Sequence, residues 1–396
     1  MGVAITGMGI ISAIGHSVAE SKTSLLAPKS GIGTLKHIQT KHSDQIKVGE
    51  ITLSNADLTT QLQLPKDHNY TRTGLLGLFA ARAALQDAQI SAISEYRTGL
   101  ISATTVGGMD MTELYLKQFA TDPEAQKYIQ SHHAGDSTQK IADALNITEF
   151  VTTISTACSS AANAIMLGAR LIKAGKLDRV VVGGTDALSK FTINGFKTLM
   201  IQSDDHCAPF DANRKGLNLG EAAAYLVLES DDVIAKEQKQ VLAFLSGYGN
   251  ANDAFHQTAS SENGEGAFLA MTKALELARL TPEHINYINA HGTATPNNDL
   301  SESVALQRVF GSHVPDFSST KSFTGHTLAA AGVVEAVFAI IALQEQTIFP
   351  NLNFKSPMPE TGLKPVTSVV KIEVQHILSN SFGFGGNCST LIFSKA

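Results

Sequence analysis

Residues 151–173, VTTISTACSSAANAIMLGARLIK, change character within a few positions. Val151 to Ile154 is β-branched throughout and reads as a short strand. Residues 159–174 carry an alanine-rich helical pattern with one closely packed face. Between them Ser155-Thr156-Ala157-Cys158 is a turn of small residues, so Cys158 falls where a strand gives way to a helix. There the backbone N–H groups and the positive end of the helix dipole lie beside the sulfur, and both favour thiolate.

The same alternation runs outward in both directions. Ile5-Thr6-Gly7-Met8-Gly9-Ile10-Ile11 reads as strand and turn, 71–88 as helix, Leu100 to Thr104 as strand. Arg179 to Gly184 is a buried strand ending in a glycine pair, and Ala222 to Glu229 is another strand. At Val241 to Gly249 the pattern restarts as strand and turn, like residues 3–9. Helix 266–279, strand Ile285 to Asn289, helix 328–344 and a closing strand Leu391-Ile392-Phe393 follow. The expectation is a mixed α/β protein with helices packed on central sheets, duplicated as 1–240 and 241–396. The first half carries additional material at 110–145 and 187–220, including the helical, polar stretches Thr112 to Tyr115 and Ala120 to Gln130. These fit a dimer contact, an entrance cap or a plain surface insertion.

A chain of 396 residues with 43% hydrophobic residues is long enough for two large units and a substantial core. Three cysteines, an odd number, argue against a disulfide framework and for a reducing compartment. No basic region precedes the first apolar run, the first lysine being Lys22, so a secretory signal is not expected. Met1-Gly2 hints only weakly at lipidation, since the run after it continues as a strand. Val333 to Leu343 is too short to span a bilayer and contains Glu335. A soluble, cytoplasmic protein is expected. Net charge is −6, and no basic stripe suited to nucleic acid stands out. Lys66, Arg72, Lys190, Lys197, Arg214 and Lys215 remain candidates for a modest basic patch or for ordinary surface charge.

His291, in His291-Gly292-Thr293-Ala294-Thr295-Pro296, and His326, in Lys321-Ser322-Phe323-Thr324-Gly325-His326, each emerge where a strand gives way to a loop, the place where α/β proteins hold ligands. With Cys158 they suggest acyl transfer through a thioester, the cysteine as nucleophile and two neutral imidazoles donating Nε2–H to a developing enolate. One cysteine and two histidines also make a zinc set, but without a short metal-binding spacing. Cys207 and Cys388 read as buried structural thiols. Lys321, with Glu335 on the following helix, holds neighbouring groups in place or forms a surface pair. Ser381-Phe382-Gly383-Phe384-Gly385-Gly386 lacks the Gly-Lys-Ser/Thr ending of a phosphate loop; its glycines allow close backbone approach, and Phe384 can move over a pocket. Gly7-Met8-Gly9 is too little for a dinucleotide fingerprint.

Taken together, AITGMGIISAIG (4–15), TACSSA (156–161), VVVGGTDA (180–187), PFDANRKG with GE (209–221), NAHGTATPNND with Glu302, SSTKSFTGHTLAAAG with Glu335, and NSFGFGG (380–386) resemble the β-ketoacyl-acyl carrier protein synthases of the thiolase superfamily, almost end to end. The resemblance implies a five-layered α-β-α-β-α duplication, usually a homodimer, here also compatible with a heterodimer with a related subunit. It implies that Cys158 accepts an acyl group from the phosphopantetheine arm of acyl carrier protein, so that no further cofactor is needed. Malonyl carrier protein then loses carbon dioxide, and the resulting carbanion equivalent attacks the acyl-cysteine. His291 and His326 would stabilise the enolate, and the N–H groups of Cys158 and Phe384 would form the oxyanion hole, Phe384 also gating the second substrate. Thr293 and Thr295 would contact the pantetheine amides, Val106 and Phe196 the substrate, while Lys321 and Glu335 would order the histidines. Glu302 with Ser379 and Asn380 matches a region that holds a structural monovalent cation in some relatives. The chain departs from the usual pattern at Gly216-Leu217-Asn218, at Ala294, at Asn387-Cys388 after the Phe384 loop, and at Val106, where some long-chain members carry a larger isoleucine. These departures leave open general fatty-acid elongation and a specialised polyene or polyketide synthase. A thiolase, which Cys388 would suit, or a chain-length-factor subunit lacking the nucleophile fits the residues less well.

Overall fold

The computed structural model describes residues 2–396. Twelve strands follow in order: β1 (Val3–Ser12), β2 (Thr98–Ala103), β3 (Phe150–Ile154), β4 (Arg179–Asp186), β5 (Ala222–Glu229), β6 (Ala243–Asn252), β7 (Tyr287–Asn289), β8 (Asp316–Ser318), β9 (Thr347–Ile348), β10 (Val370–Lys371), β11 (His376–Phe382) and β12 (Asn387–Ser394). Ten of them run β3-β2-β4-β5-β1-β6-β12-β11-β7-β8, while β9 and β10 form a separate pair. Read from the outer edge inward and counting only strands of the array, so without β9 and β10, each side has the same plan: third, second, fourth, fifth and first strand of its own half. The two sides meet where Val3–Ile5 of β1 pairs antiparallel with Ala243–Leu245 of β6. The duplicated α/β architecture expected from the sequence is therefore present in the strand order.

Helices cover the array in three layers. Arg72–Asp87 packs on β1, β4 and β5 on one flank, and Glu265–Ala278 on β6 and β12 on the other. Ser160–Lys173 and Ala331–Glu345, one from each half, pack against each other and against strands of both sides. The buried apolar residues form one large central cluster around those two helices and a smaller cluster under each flank.

The flanking helices approach as closely as they do because of two glycine pairs. A Cβ on Gly9 would lie 2.2 Å from the Ala80 carbonyl oxygen, and one on Gly249 would lie 2.1 Å from that of Ala270. Gly7 and Gly247 stand in the same relation to Ala84 and Ala274. These glycines therefore do not end strands in turns, as the sequence reading had it; β1 and β6 run straight through them, and the missing side chain is where a helix backbone rests.

The central helix also corrects an expectation. The segment Leu328–Glu345 is 18 residues long with a mean hydropathy of 1.8, enough to cross a membrane by length and composition. Its apolarity is accounted for by position, since 89% of the segment is buried, packed between the two sides of the array. A helix covered all round is apolar all round.

Candidate active site

The chain leaves β3 at Ile154 and turns through Ala157, whose φ of +54° is left-handed, before entering helix Ser160–Lys173. The Ser160 hydroxyl bridges this turn, accepting the Thr156 N–H at 2.8 Å and donating to the Ala157 carbonyl. Cys158 is held at the apex and is buried. Burial pushes its thiol up to about 11, against the opposing pull of the Lys321 ammonium and of the N–H groups of Phe384 and Cys158 itself. Desolvation thus opposes the thiolate that a helix start favours.

Two imidazoles face it. His326 Nε2 lies 3.0 Å from Cys158 Sγ, while its Nδ1 accepts the Leu328 N–H at 3.2 Å. His291 Nδ1 lies 3.2 Å from Lys321 Nζ, which has only protons to offer. Both Nδ1 atoms are therefore acceptors, which puts the proton of each neutral ring on Nε2. Burial first, and then the charge of Lys321, hold both histidines well below the ordinary value. The two rings meet edge to face, with centroids 5.4 Å apart.

Lys321 makes a buried ion pair with Glu335 from the central helix. Burial raises the Glu335 carboxyl to about 7 despite that partner. Glu302 accepts the N–H groups of His291 at 2.9 Å and Gly292 at 2.8 Å, and Asn380 Nδ2 at 3.1 Å. It thereby fixes the loop that carries His291. Ser379 pairs in register with Asn289, whose side chain reaches the Glu335 carbonyl on the other face of the sheet. Beside it the Ser379 hydroxyl, Asn289 Oδ1 and Glu335 Oε2 are buried without a hydrogen-bond partner, oxygen donors of the kind a hard cation takes. One sulfur and two ring nitrogens, from Cys158, His291 and His326, lie within 4.8 Å of one another, which is close enough for one metal ion. Their chemistry does not suit one: each Nδ1 is already occupied as an acceptor, so a bound Nε2 would have to surrender its only proton, beside a lysine ammonium.

Two cavities meet at Cys158. One, of about 400 Å³, is lined by His291, Thr293, Thr295, His326 and Phe384 among others. The second, of about 420 Å³, is almost wholly apolar and is lined by Val106, Phe191, Phe196, Leu199, Leu328 and Phe384. Phe384 and Phe196 border both. Thr293 and Thr295 share a hydroxyl–hydroxyl hydrogen bond of 2.9 Å at the wall of the first.

The structure thus brings together Cys158, His291, His326, Lys321, Glu335, Phe384, Phe196, Val106, Thr293 and Thr295. Cys388 also lines the first cavity, and burial raises its thiol. Cys207 is buried beside Ile32 and Ala294. Two members of the basic-patch group leave the surface. Arg72 forms a buried two-pronged pair with Glu221, and the largely buried Arg214 side chain holds the carbonyls of Thr295 and Pro296. Sequence reading missed Asp186. Its carboxylate accepts the hydroxyls of Thr104 and Thr105 and the N–H groups of Val106 and Ala329. It ties the Val106 loop to the turn after His326. The available signal was an aspartate closing the apolar run Val180 to Gly184.

Comparison with known proteins agrees with this geometry. The N-terminal domain of the beta-ketoacyl synthase family matches residues 1–233 and its C-terminal domain residues 242–355. The chain is 31% identical to a 3-oxoacyl-[acyl-carrier-protein] synthase 2 of Staphylococcus aureus, covering 99% of this chain and 98% of that one. It is 32% identical to the enzyme of the same name from Vibrio cholerae, covering 99% of each. Among solved structures, the ishigamide ketosynthase/chain length factor superposes with a TM-score of 0.93 at 31% identity, over 100% of this chain and 99% of that one. A ketosynthase, ApeO, in complex with its chain length factor, ApeC, from Xenorhabdus doucetiae gives 0.87 at 30%, over 100% and 98%. With both halves matched and relatives of this identity spanning its length, the chain belongs to the beta-ketoacyl synthase family, acyltransferases of the condensing class with the thiolase-like fold.

Proposed function

We propose that the protein is a β-ketoacyl-acyl carrier protein synthase that extends an acyl group held on Cys158 by decarboxylative condensation with malonyl carrier protein, in fatty-acid elongation. The observation that carries this reading is the convergence of the Cys158 sulfur and two Nε2–H donors where a polar and an apolar cavity meet. The apolar cavity takes the acyl chain. The cavity walled by Thr293 and Thr295 takes the pantetheine arm, whose amides need hydrogen-bonding partners.

In the first step Cys158 Sγ attacks the carrier's acyl thioester, the new C–S bond forms, the old one breaks, and the thiol proton ends on the departing pantetheine sulfur. The N–H groups of Cys158 and Phe384 receive the oxyanion. In the second step malonyl thioester loses carbon dioxide. The freed electron pair is held as an enolate by the Nε2–H groups of His291 and His326. Its α-carbon then attacks the acyl-Cys158 carbonyl, expelling the Cys158 thiolate, which regains a proton from solvent. Lys321, paired with Glu335, keeps His291 Nδ1 an acceptor and so keeps its Nε2 proton in place.

The partners are acyl carrier protein and a second subunit, either another copy or a related chain, in the cytoplasm. Similarity to structures titled as ketosynthase with chain length factor supports a second reading, a specialised condensing enzyme of a polyene or polyketide pathway. Incubation with acyl and malonyl carrier proteins of several chain lengths, followed by intact mass, tests both. An acyl adduct on Cys158 with a product two carbons longer is expected. Absence of both with folded protein overturns the reading, and the preferred chain separates the two pathways.

A further inference from the structure

Asn387 follows the glycine pair of the Phe384 loop, and its two oxygen atoms face different parts of the site. Its carbonyl accepts the Gly383 N–H at 2.8 Å, closing the loop that presents Phe384. Its side-chain Oδ1 has four donors within reach, Ser159 Oγ at 2.7 Å, Asn163 Nδ2 at 2.9 Å, Asn250 Nδ2 at 2.9 Å and Ser389 Oγ at 3.4 Å. Asn163 Nδ2 reaches on to Thr156 Oγ1 at 2.8 Å, and the single Ser159 hydroxyl proton lies between Asn387 Oδ1 and the Thr156 carbonyl, each 2.7 Å from Oγ. Thr156 and Ser159 bracket Cys158.

The N–H groups of Cys158 and Phe384, both of which favour the Cys158 thiolate, lie in segments from opposite halves of the chain that approach so closely that a Cβ on Gly383 would stand 3.1 Å from Cys158 N. A carbonyl oxygen can use both only if their spacing is fixed to a fraction of an ångström. Asn387 joins the two segments, its main chain holding one and its side chain the other. We infer that Asn387 is a positioning residue that sets the spacing of the two N–H donors for acyl transfer. This rests on the oxyanion role given to those donors in the proposed function.

The atom that matters is an acceptor, so Asn387→Asp preserves the clamp and Asn387→Leu removes it. Two rates are measured by intact mass: acylation of Cys158 by acyl carrier protein, and conversion of malonyl to acetyl carrier protein, which depends on the histidine pair. N387L is expected to slow acylation about tenfold to a hundredfold, the range for a small misplacement of catalytic groups. It should leave malonyl decarboxylation by the folded protein near wild type, although the unpaired Ser159, Asn163 and Asn250 donors lower its melting temperature, while N387D acylates at nearly the wild-type rate. Equal loss of both rates in N387L, loss of neither, or equal impairment of N387D overturns the inference. A wild-type protein that neither acylates nor decarboxylates overturns the proposed function itself.

Discussion

The rings of Phe196 and Phe384 stack with centroids 6.0 Å apart and planes within 19° of parallel. They form a two-ring partition between the apolar cavity and the cavity walled by the threonines. Phe384 sits on a loop with left-handed Gly385 and Gly386 behind it, whereas Phe196 is anchored in helix Lys190–Thr198. Phe196→Ala removes the fixed member of the pair. Acylation of Cys158 should persist and extend to longer or bulkier acyl groups. Condensation should fall by about tenfold or more, as reactive groups lose their orientation. Mass profiles of acyl-enzyme and product over a series of chain lengths check both halves of this statement.

His326→Ala deletes one of the two Nε2–H donors. Loss of one such donor costs about 2.7–4 kcal/mol in the transition state, or roughly 10²–10³ in kcat. Malonyl decarboxylation should drop by that factor while the thermal stability changes little. The rate of acetyl carrier protein formation measures it.

Burial and Lys321 together keep both imidazoles neutral well below their ordinary value of 6.5. The acid limb of the kcat profile should therefore lie clearly below pH 6.5. Lys321→Met withdraws the charge and leaves the burial, so the limb of the residual activity should move up towards 6.5 without reaching it. The linked stability has a definite sign: the unfolded histidines bind protons that the folded ones refuse. Their contribution is full above 6.5 and is lost as pH falls through and below it. Urea titrations between pH 5 and 7.5 report this loss, and a wild-type acid limb at or above 6.5 would contradict the assigned neutral pair.

Gly249→Ala places a methyl group 2.1 Å from the Ala270 carbonyl oxygen. Helix Glu265–Ala278 must then shift from β6, at a cost of about 1–3 kcal/mol or more. Chemical denaturation should show a lower midpoint with an unchanged slope. The matching change Gly9→Ala should behave alike on the other flank.

Much of the architecture was legible because its signals are local. Helices 72–87, 160–173 and 265–278 and strands β4 and β5 announce themselves through period and composition. Strand β11 did not, because Ser379, Asn380 and Ser381 interrupt any apolar alternation. Those side chains lie inside the protein, and Asn380 is satisfied by Glu302 and Thr390, which are distant in sequence. The trio Cys158, His291 and His326 could be named from its motifs. The hydrogen bonds that assign its protons could not, since they depend on Leu328 N–H and Lys321 Nζ folding back onto the two rings. The same holds for the Cys158 thiol, whose burial is a property of the whole fold. Arg72 and Glu221 lie far apart in the chain, and nothing in either neighbourhood predicts their pairing.

The layer between the two sides of the array receives one helix from each half, Ser160–Lys173 and Ala331–Glu345, and the first begins just after Cys158 while the second carries Glu335. Each side of the array is covered on its inner face in part by the helix supplied by the other. A fragment ending near residue 240 would expose a wide apolar surface and lack both histidines, and the complementary fragment would lack Cys158. Cys158 and the two imidazoles therefore come into register only through the same association that buries the core, which makes assembly of the site and completion of folding a single event.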